Sequence, residues 1–526
     1  MATGDSPLRL GIDVGGTNTD AVVLDGSRIL AAYKATTTPD VTTGIAAALA
    51  SVLPSIGARR VEAVVVGTTH FINAIVRGSD LAAVACVRLA TPPQTLGPLT
   101  DWPATVLKAV GRNVFVCRGG HQFDGRILNP LDERSIADAG RQISRRGIRQ
   151  VVVSSVFSPI ENAHEVRARE ILQEILPAAT IAITSGFGRI GLLERENAAI
   201  LNAALLPLAR DVVGRLDTTV RQLGITAPVF LSQNDGTVMD LRYARDNPVL
   251  TIASGPTNSM RGAALLSGER DCVVVDIGGT TTDVGVLRGG FPRESDVAVS
   301  LGGIRTNFRM PDVQSLGIGG GSVVHRGAVT SAIVGPGSVG YELGRRARVF
   351  GGDTLTLTDV AVAAGIMDVG ARSLVADLPR DLVDRVLAEV GARLTSSVLH
   401  ARQSETEVPV VVVGGAAAVA VGAADHPQVL LPDGGHVANA VGAARAQVGG
   451  EVDQIYSLAR HSRDHVLSTA RRLAMQRAMD AGAVASTVQI VDESDVPLSH
   501  LPGGTALRVR VRAIGDMTLG GYDAAA

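Results

Sequence analysis

The feature that most constrains this chain is an internal duplication. Residues 12–24 read IDVGGTNTDAVVL and residues 275–287 read VDIGGTTTDVGVL, identical at eight of thirteen positions. The copies stand near the start and the middle of a 526-residue chain. A repeat this long implies two related halves opening with the same supersecondary unit. In each copy an apolar run ends in a carboxylate, a Gly-Gly-Thr turn follows, and an apolar run resumes. That order predicts a β-hairpin. Glycines let backbone N–H groups approach an anion and threonine hydroxyls add donors, so both loops suit phosphates. Aspartates at the strand ends, Asp13 and Asp276, suit Mg²⁺ held directly or through its waters.

Elsewhere strand-like and helix-like segments alternate. Val61–Gly67 reads as a buried strand running into a helix start at THFINAIVRG. Gln150–Val156 is a second strand, with a helix pattern at Glu165–Leu176, and Val229–Ser232 and Val249–Ala253 read as further strands. Pro409–Val413 runs into Gly414-Gly415 and an alanine-rich helix. The alternation implies an α/β fold, mainly parallel sheets with helices on their faces. The tail reads differently. Asp453–Ala481 reads as one long amphipathic helix, followed by strands at Ser486–Val491 and Thr505–Val511. The expected domains are an N-terminal half at 1–190 with the first hairpin, a second half at 191–450 with the second hairpin, and a small α+β appendage at 451–526 that packs on the body or on a partner.

Composition removes several function classes. Apolar residues make up 46% and charged residues 19%, with a net charge of −2, as expected of a folded globular chain. The near-neutral balance predicts neither a nucleic-acid nor a membrane partner. Aromatics are only 3%, so the core must be aliphatic. Cys86, Cys117 and Cys272 are scattered and form neither a disulfide framework nor a CxxC site, which fits a reducing compartment. Residues 1–9 lack an apolar secretory core, and the apolar run Val410–Ala424 is too short for a bilayer, so the expected location is cytoplasmic. Of the ten histidines only His461 and His465 have an i, i+4 spacing, and without an obvious third ligand they read as surface residues.

The two hairpins resemble those of the actin/sugar-kinase/chaperone-ATPase superfamily, which implies duplicated α/β halves with a nucleotide cleft between them. A closer resemblance is to the hydantoinase A / 5-oxoprolinase family. It is carried, in order, by GIDVGGTNTD (11–20), GTTHFINAIVRG (67–78), GGHQFDGRILNPLDE (119–133), SVFSPIENAHE (155–165), LERENAAILNAALLP (193–207), LSQNDGTVMD, SGPTNSM, DIGGTTTD, SLGIGGGSV (315–323) and VGPGSVG…GGDTLTLTD (334–359). It spans roughly residues 8–445. The chain departs from the family pattern at Asn18, at His70-Phe71-Ile72 and at SQNDG.

The resemblance implies ATP-dependent opening of a cyclic amide such as a hydantoin or 5-oxoproline, by phosphorylating its enol oxygen directly or through an activated bicarbonate. It implies a B-type partner subunit and an oligomeric assembly. Alternatives on the same fold are a ketone carboxylase-like or other small-molecule kinase subunit, and a non-enzymatic ATPase switch. The implied phosphate ligands are Gly15, Gly16, Thr17 and Thr19 of the first hairpin and Gly278, Gly279, Thr280 and Thr282 of the second. Mg²⁺ lies near Asp13 and Asp276, one of which orients or deprotonates the nucleophile. Gly414 and Gly415 match the adenosine element, and Asn439 in GGHVANA completes that pocket. Asp20 and Asp283 either cap their hairpins or share in catalysis. Gly319 and Gly320 in GIGGGS either wrap a phosphate or make a sharp turn. Thr68, Thr69 and Asn73 at a strand-to-helix junction either meet the substrate or cap the helix. Glu194, Arg195, Glu196 and Asn202 either line the cleft or form a solvated helix face.

Overall fold

A computed structural model describes residues 8–519 apart from 17, 38–40, 58–59, 93–95, 188–190, 296–298, 309, 327–331, 403–407, 422–428, 459–460 and 499–505. The chain opens with β1 (Leu8–Val14), β2 (Asn18–Asp25), β3 (Arg28–Thr36), α1 (Val41–Val52), β4 (Val61–Thr68) and α2 (His70–Arg77). An insertion follows: β5 (Val84–Ala90), α3 (Ala104–Val110), β6 (Asn113–Arg118), α4 (Glu133–Arg145), β7 (Gln150–Ser155), α5 (Ala163–Ile175) and β8 (Thr180–Ile183). Next come α6 (Leu192–Gln222), β9 (Val229–Ser232), β10 (Val238–Asp240), α7 (Leu241–Asp246) and α8 (Ser254–Ser267). The second half begins with β11 (Cys272–Ile277), β12 (Thr282–Arg288) and β13 (Phe291–Pro292). It continues through the short strands β14 (Val299–Leu301), β15 (Ile304–Thr306), β16 (Val313–Leu316), β17 (Ser322–Arg326) and β18 (Ala332–Ser338). Helices α9 (Leu343–Arg346), α10 (Leu357–Ala363) and α11 (Arg380–Arg402) lead to β19 (Val410–Val413), α12 (Ala418–Val421), β20 (Val429–Leu430) and α13 (Ala438–Arg445). The chain closes with β21 (Val448–Ser457), α14 (Arg463–Asp480), β22 (Gln489–Pro497) and β23 (Ala506–Gly515).

Both copies of the repeat fold as the expected hairpin, and each sits beside a parallel strand. β1 pairs antiparallel with β2 and parallel with β4. β11 pairs antiparallel with β12 and parallel with β19. The first sheet has nine strands in the order β22-β23-β21-β10-β9-β4-β1-β2-β3. The second runs β13-β12-β11-β19-β20, with β16 also on β12. The insertion forms a parallel sheet, β6-β5-β7-β8. The aliphatic composition is answered by core clusters of Val, Leu, Ile and Ala around each sheet.

Two helices tie the halves together. α13, which follows the second half, packs on β1, β2 and β4 of the first, and α8, which follows the first, packs on β11, β12 and β19 of the second. They cross at backbone contact: a Cβ on Gly262 would lie 1.8 Å from the Ala438 carbonyl oxygen, and one on Gly442 would lie 1.9 Å from that of Asn258. Only glycine at these points lets the two helices approach so closely.

Three expectations are corrected. Residues 249–253 are not a strand: Pro248–Thr251 is a single 3₁₀ turn, and Ala253 at φ 65° starts α8. The long tail helix is two elements. Residues 453–457 belong to β21, paired residue for residue with β23, and the helix begins at Arg463, where the Ser462 hydroxyl accepts from the His465 amide. The apolar position read as helical at 455 serves a sheet, because the alternating LRVRVR strand offered a partner, and Leu458 lies in the turn that follows. The tail strands and β9–β10 also extend the sheet of the first half, so the chain crosses between halves more often than the linear division at 190 and 450 implies. His461 and His465 stack 4.8 Å apart at the exposed start of α14.

Candidate functional site

The hairpin register decides which side chains face the gap between halves. Asp13 stands directly opposite Asp20, and Asp276 directly opposite Asp283. Cross-strand partners share a face of the sheet, so each hairpin presents two carboxylates together. The turns are also equivalent: Gly15 N–H donates to Asn18 O at 3.0 Å, and Gly278 N–H to Thr281 O at 2.9 Å. Beside each first aspartate the parallel strand ends in glycine. A Cβ on Gly67 would meet Asp13 Oδ1 at 2.1 Å, and one on Gly414 would meet Asp276 Oδ1 at 2.3 Å. The same seat for a buried carboxylate is built twice.

Both hairpins line one cavity of about 240 Å³. The crossing helices hold its acids. Asn258 Nδ2 on α8 donates to Asp13 Oδ1 at 3.2 Å. Asn439 Nδ2 on α13 donates to Asp13 Oδ2 at 3.1 Å and to Asp20 Oδ2 at 2.9 Å. Lys34 Nζ lies 2.6 Å from Asp20 Oδ1. Burial pushes the Asp13 carboxyl up to about 6, with Asp20 and Asp276 adding to the rise. Asp276 is likewise pushed up to about 6 by burial, then by Asp283 and Asp20, against a hydrogen bond from Ser259 and the charge of Lys34. Burial also raises Asp283. Four carboxylates facing one lysine form an oxygen-rich, electron-rich pocket, the donor chemistry of a hard divalent cation. Among the described residues no group of three or more His, Cys, Asp or Glu is arranged to hold a metal alone, so such a cation would need oxygens from a ligand or water as well.

The structure brings together Asp13, Gly15, Gly16, Asp20, Thr69, Asp276, Gly278, Gly279, Thr280, Asp283, Gly414, Gly415 and Asn439 around this cavity. Thr17 lies outside the described residues. Thr19 and Thr282 do not face the cavity. They alternate with the aspartates along their strands, so their side chains point into the protein. The Thr19 hydroxyl meets that of Thr37 at 3.3 Å, and the Thr282 hydroxyl donates to Ile318 O at 2.7 Å. Gly319 and Gly320 sit behind the second hairpin. Gly319 N–H donates to Ser322 Oγ and Gly320 N–H to Gly278 O, so these amides brace the loop and are not free for a phosphate. Thr68 accepts from the His70 amide at the start of α2, Thr69 lines the cavity, and Asn73 lies one turn into α2.

The α6 residues fit neither expectation. Arg195, Glu196 and Asn202 are buried, and Glu196 takes both Arg88 Nε at 2.9 Å and Arg88 NH2 at 2.6 Å. Glu194 pairs with Arg305 at 2.8 Å. Arg195 and Glu196 join the insertion to the body, while Asn202 bonds to Asp246 and Val249 beside α7. Sequence reasoning passed over Lys34, Asn258 and Ser259. Lys34 stands opposite Asp20 in the β2–β3 register, and SGPTNSM carries Asn258 and Ser259, but neither pairing is visible before the strands and helices are placed.

Halves of this kind, each offering a glycine-turn hairpin and paired acids to a shared crevice, define a duplicated actin-like α/β fold with a C-terminal α+β segment. The architecture is that of two solved structures. One is the ATP-dependent caprolactamase from Pseudomonas jessenii, with a TM-score of 0.77 at 21% identity, covering 96% of this chain and 87% of that one. The other is acetone carboxylase in its nucleotide-free form, with a TM-score of 0.68 at 17% identity, covering 97% and 88%. More particularly, the chain belongs to the hydantoinase/oxoprolinase family: residues 9–176 match its N-terminal region and residues 195–401 its hydantoinase/oxoprolinase region. Caprolactamase subunit alpha of Pseudomonas jessenii is 30% identical over 392 residues, 69% of this chain and 55% of its own. The acetophenone carboxylase gamma subunit of Aromatoleum aromaticum is 28% identical over 399 residues, 69% and 54%. The chain thus spans about half the length of the curated relatives it matches. Among the described residues no helix is long and apolar enough to cross a membrane.

Proposed function

We propose that this chain is the nucleotide-binding part of an ATP-dependent enzyme that opens a cyclic amide, working with a second, B-type subunit. The observation that carries the reading is the convergence of both hairpins, with their four aspartates, on one cavity. An unstrained ring amide resists water, and a phosphorylated carbonyl oxygen turns it into a carbon that water can attack. When bound, Mg-ATP supplies the phosphoryl group for that activation.

The chain's own residues position and neutralise. The backbone of Gly16, Gly279 and Thr280 at the hairpin tips and the hydroxyls of Thr280 and Thr281 are the phosphate donors. Asp13 and Asp276 hold Mg²⁺, and one of them orients the attacking oxygen. Their raised proton affinity reflects burial first and the neighbouring carboxylates second, and a divalent cation would offset both. Asn258 and Asn439 fix Asp13 so that its two oxygens keep one orientation. Gly414, Gly415 and His436, which follow β19 and precede α13, border the space for the nucleoside.

A second reading, an ATP-dependent ketone carboxylase subunit, is supported by the similarity to carboxylase subunits. One experiment separates the two. Mg-ATP turnover to ADP is measured with hydantoin, 5-oxoproline and ε-caprolactam, and with acetone or acetophenone plus bicarbonate, each with and without a B-type subunit. Ring-amide stimulation that disappears in Asp13→Asn and Asp276→Asn is expected. Stimulation by ketone and bicarbonate alone would replace this reading with the second, and full turnover in both variants would refute the roles given to the aspartates.

A further inference from the structure

A second cavity, of about 320 Å³, opens at the same nine-stranded sheet as the first. Its base is the tight β9–β10 turn, in which Gln233 N–H donates to Thr237 O at 2.8 Å and Gly236 N–H to Gln233 O at 3.2 Å. Gly236 has φ +84°, and a Cβ there would strike Arg261 at 2.7 Å and Thr257 at 2.8 Å, so α8 presses directly on the turn. Phe187 and Phe308 supply apolar wall, and Asn234, Asn307 and Asp235 supply polar groups. Glu451, Asp453 and Arg477 add charge at its rim, and a pocket of roughly 300–1,000 Å³ that joins apolar wall to converging polar groups is the usual form of a small-molecule site.

The position of this cavity ties it to the hairpin cleft. In open α/β sheets ligands bind at the carboxyl ends of the strands. Asp13 stands at that end of β1, Thr69 follows β4, and Gln233–Asp235 follow β9, which is next to β4. β1 and β9 are two strand spacings apart, about 10 Å. A single side chain spans the interval: Asn258 Nδ2 donates both to Asp13 Oδ1 and to Ser232 Oγ at 3.1 Å, and Ser232 immediately precedes the turn. The next residue of α8 toward its N-terminus, Thr257, donates from Oγ1 to Asn234 O at 3.0 Å.

Two groups in the cavity keep hydrogen-bonding capacity to spare. Asn234 is anchored through its backbone, by its N–H to Leu250 O at 2.7 Å and by the Thr257 bond, and its buried carboxamide makes no hydrogen bond among the described residues. Asp235 Oδ1 accepts from Thr237 N–H at 2.9 Å and from Thr237 Oγ1 at 2.6 Å. Those bonds fix Oδ1, Oδ2 bonds to no described residue, and the buried guanidinium of Arg261, packed against the same turn, is the nearby cation that balances this carboxylate. A carboxamide offers a donor and an acceptor at once, which complements an amide's C=O and N–H.

We propose that this cavity seats the cyclic amide, with its ring against Phe187 and Phe308 and its amide edge on Asn234, and that Asp235 is the base for the ring N–H. The assignment rests on the cyclic-amide reading and names the acceptor side of that reaction. In the step, the ring carbonyl oxygen forms a bond to the γ-phosphorus of ATP, and the bond from that phosphorus to the β,γ-bridging oxygen breaks. The N–H proton passes to Asp235, the electrons of that bond form C=N, and the products are ADP and an O-phosphorylated cyclic imidate. A positioned base of this kind contributes roughly 10²–10⁴-fold.

The test uses the full chain, with a B-type subunit where one is needed for turnover, and reads binding separately from turnover. ε-Caprolactam, N-methylcaprolactam and Mg-ATP are titrated calorimetrically against wild type, Phe308→Ala and Asp235→Asn, and ADP release is measured alongside. Phe308→Ala is expected to weaken both lactams by roughly tenfold, the scale of an aromatic contact, and to leave Mg-ATP affinity unchanged. Asp235→Asn keeps an oxygen for Thr237, so it should bind Mg-ATP and both lactams yet lose caprolactam-stimulated ADP release. N-methylcaprolactam, which has no N–H, should bind wild type without stimulating it. Undiminished stimulation in Asp235→Asn overturns the base, and undiminished lactam binding in Phe308→Ala overturns the pocket. Unchanged Mg-ATP affinity in each variant shows that it is folded. Failure of wild type to bind Mg-ATP would sink the proposed function, whereas the lactam titrations still decide the cavity.

Discussion

Asp276→Asn should make the ligand-free protein more stable at neutral pH while crippling its chemistry. Asp276 is pushed from 3.8 up to about 6, chiefly by burial and secondarily by Asp283 and Asp20. A folded-state value above the unfolded one means that the folded chain holds a proton the unfolded chain has already released. Stability from this group is therefore intact below about pH 4, falls as pH climbs toward 6, and is at its lowest above 6. That rise corresponds to about 3 kcal/mol at pH 7.5. Asparagine has nearly the same shape and no charge to bury. Urea denaturation followed by circular dichroism, in EDTA without nucleotide, should show the variant's midpoint well above wild type at pH 7.5 and converging with it near pH 4. The measured gain should fall below about 3 kcal/mol where the introduced carboxamide hydrogen-bonds Ser259 less well than the carboxylate does. Adding Mg-ATP should then raise the wild-type midpoint more than the variant's, because a cation neutralises the charge that burial penalises. A variant equal to or weaker than wild type at pH 7.5 would refute the claim that the cleft stores uncompensated charge.

Three further outcomes follow from particular contacts. Glu196→Gln leaves the buried Arg88 guanidinium without its carboxylate and should cost about 3–5 kcal/mol in a thermal melt, whereas the double change Arg88→Met with Glu196→Leu should recover most of it. Gly442→Val drives a side chain onto the Asn258 carbonyl and should cost about 1–3 kcal/mol or more. By separating α8 from α13 it should also weaken Mg-ATP by roughly tenfold in calorimetry, since both helices hold Asp13. Thr282→Val removes a buried hydroxyl bonded to Ile318 O and should cost about 1–3 kcal/mol. Its KM for ATP should not move, because this hydroxyl faces away from the cavity, and a raised KM would reinstate it as a phosphate ligand.

Much of the architecture was legible because it is written locally. An apolar run, a glycine turn and a second apolar run form a hairpin wherever they stand, and two copies imply two halves. The aspartates at the hairpin mouths were legible for the same reason. The threonines were not: Thr19 and Thr282 are polar residues in a phosphate-like motif, yet strand alternation turns them inward once Asp20 and Asp283 face out. Gly319 and Gly320 look like a phosphate loop in one dimension, and only the bonds of Gly319 to Ser322 and of Gly320 to Gly278 on the second hairpin show them to be a brace. The α6 charges read as either a cleft lining or a solvated face because a single helix cannot reveal that Arg88, from a strand more than a hundred residues earlier, lies against Glu196.

The sequence by itself determined the repeated hairpin, the acid at each mouth and the aliphatic material of the core, since short-range sterics and burial patterns need no distant partner. Only the tertiary structure decided that β21 and β23 pair where a helix was expected. It also decided that α8 and α13 cross at two glycines, and that Asn258 reaches from Asp13 to the β9 turn. Those features depend on groups far apart in the chain meeting at distances of a few ångströms, and no local pattern encodes which groups will meet.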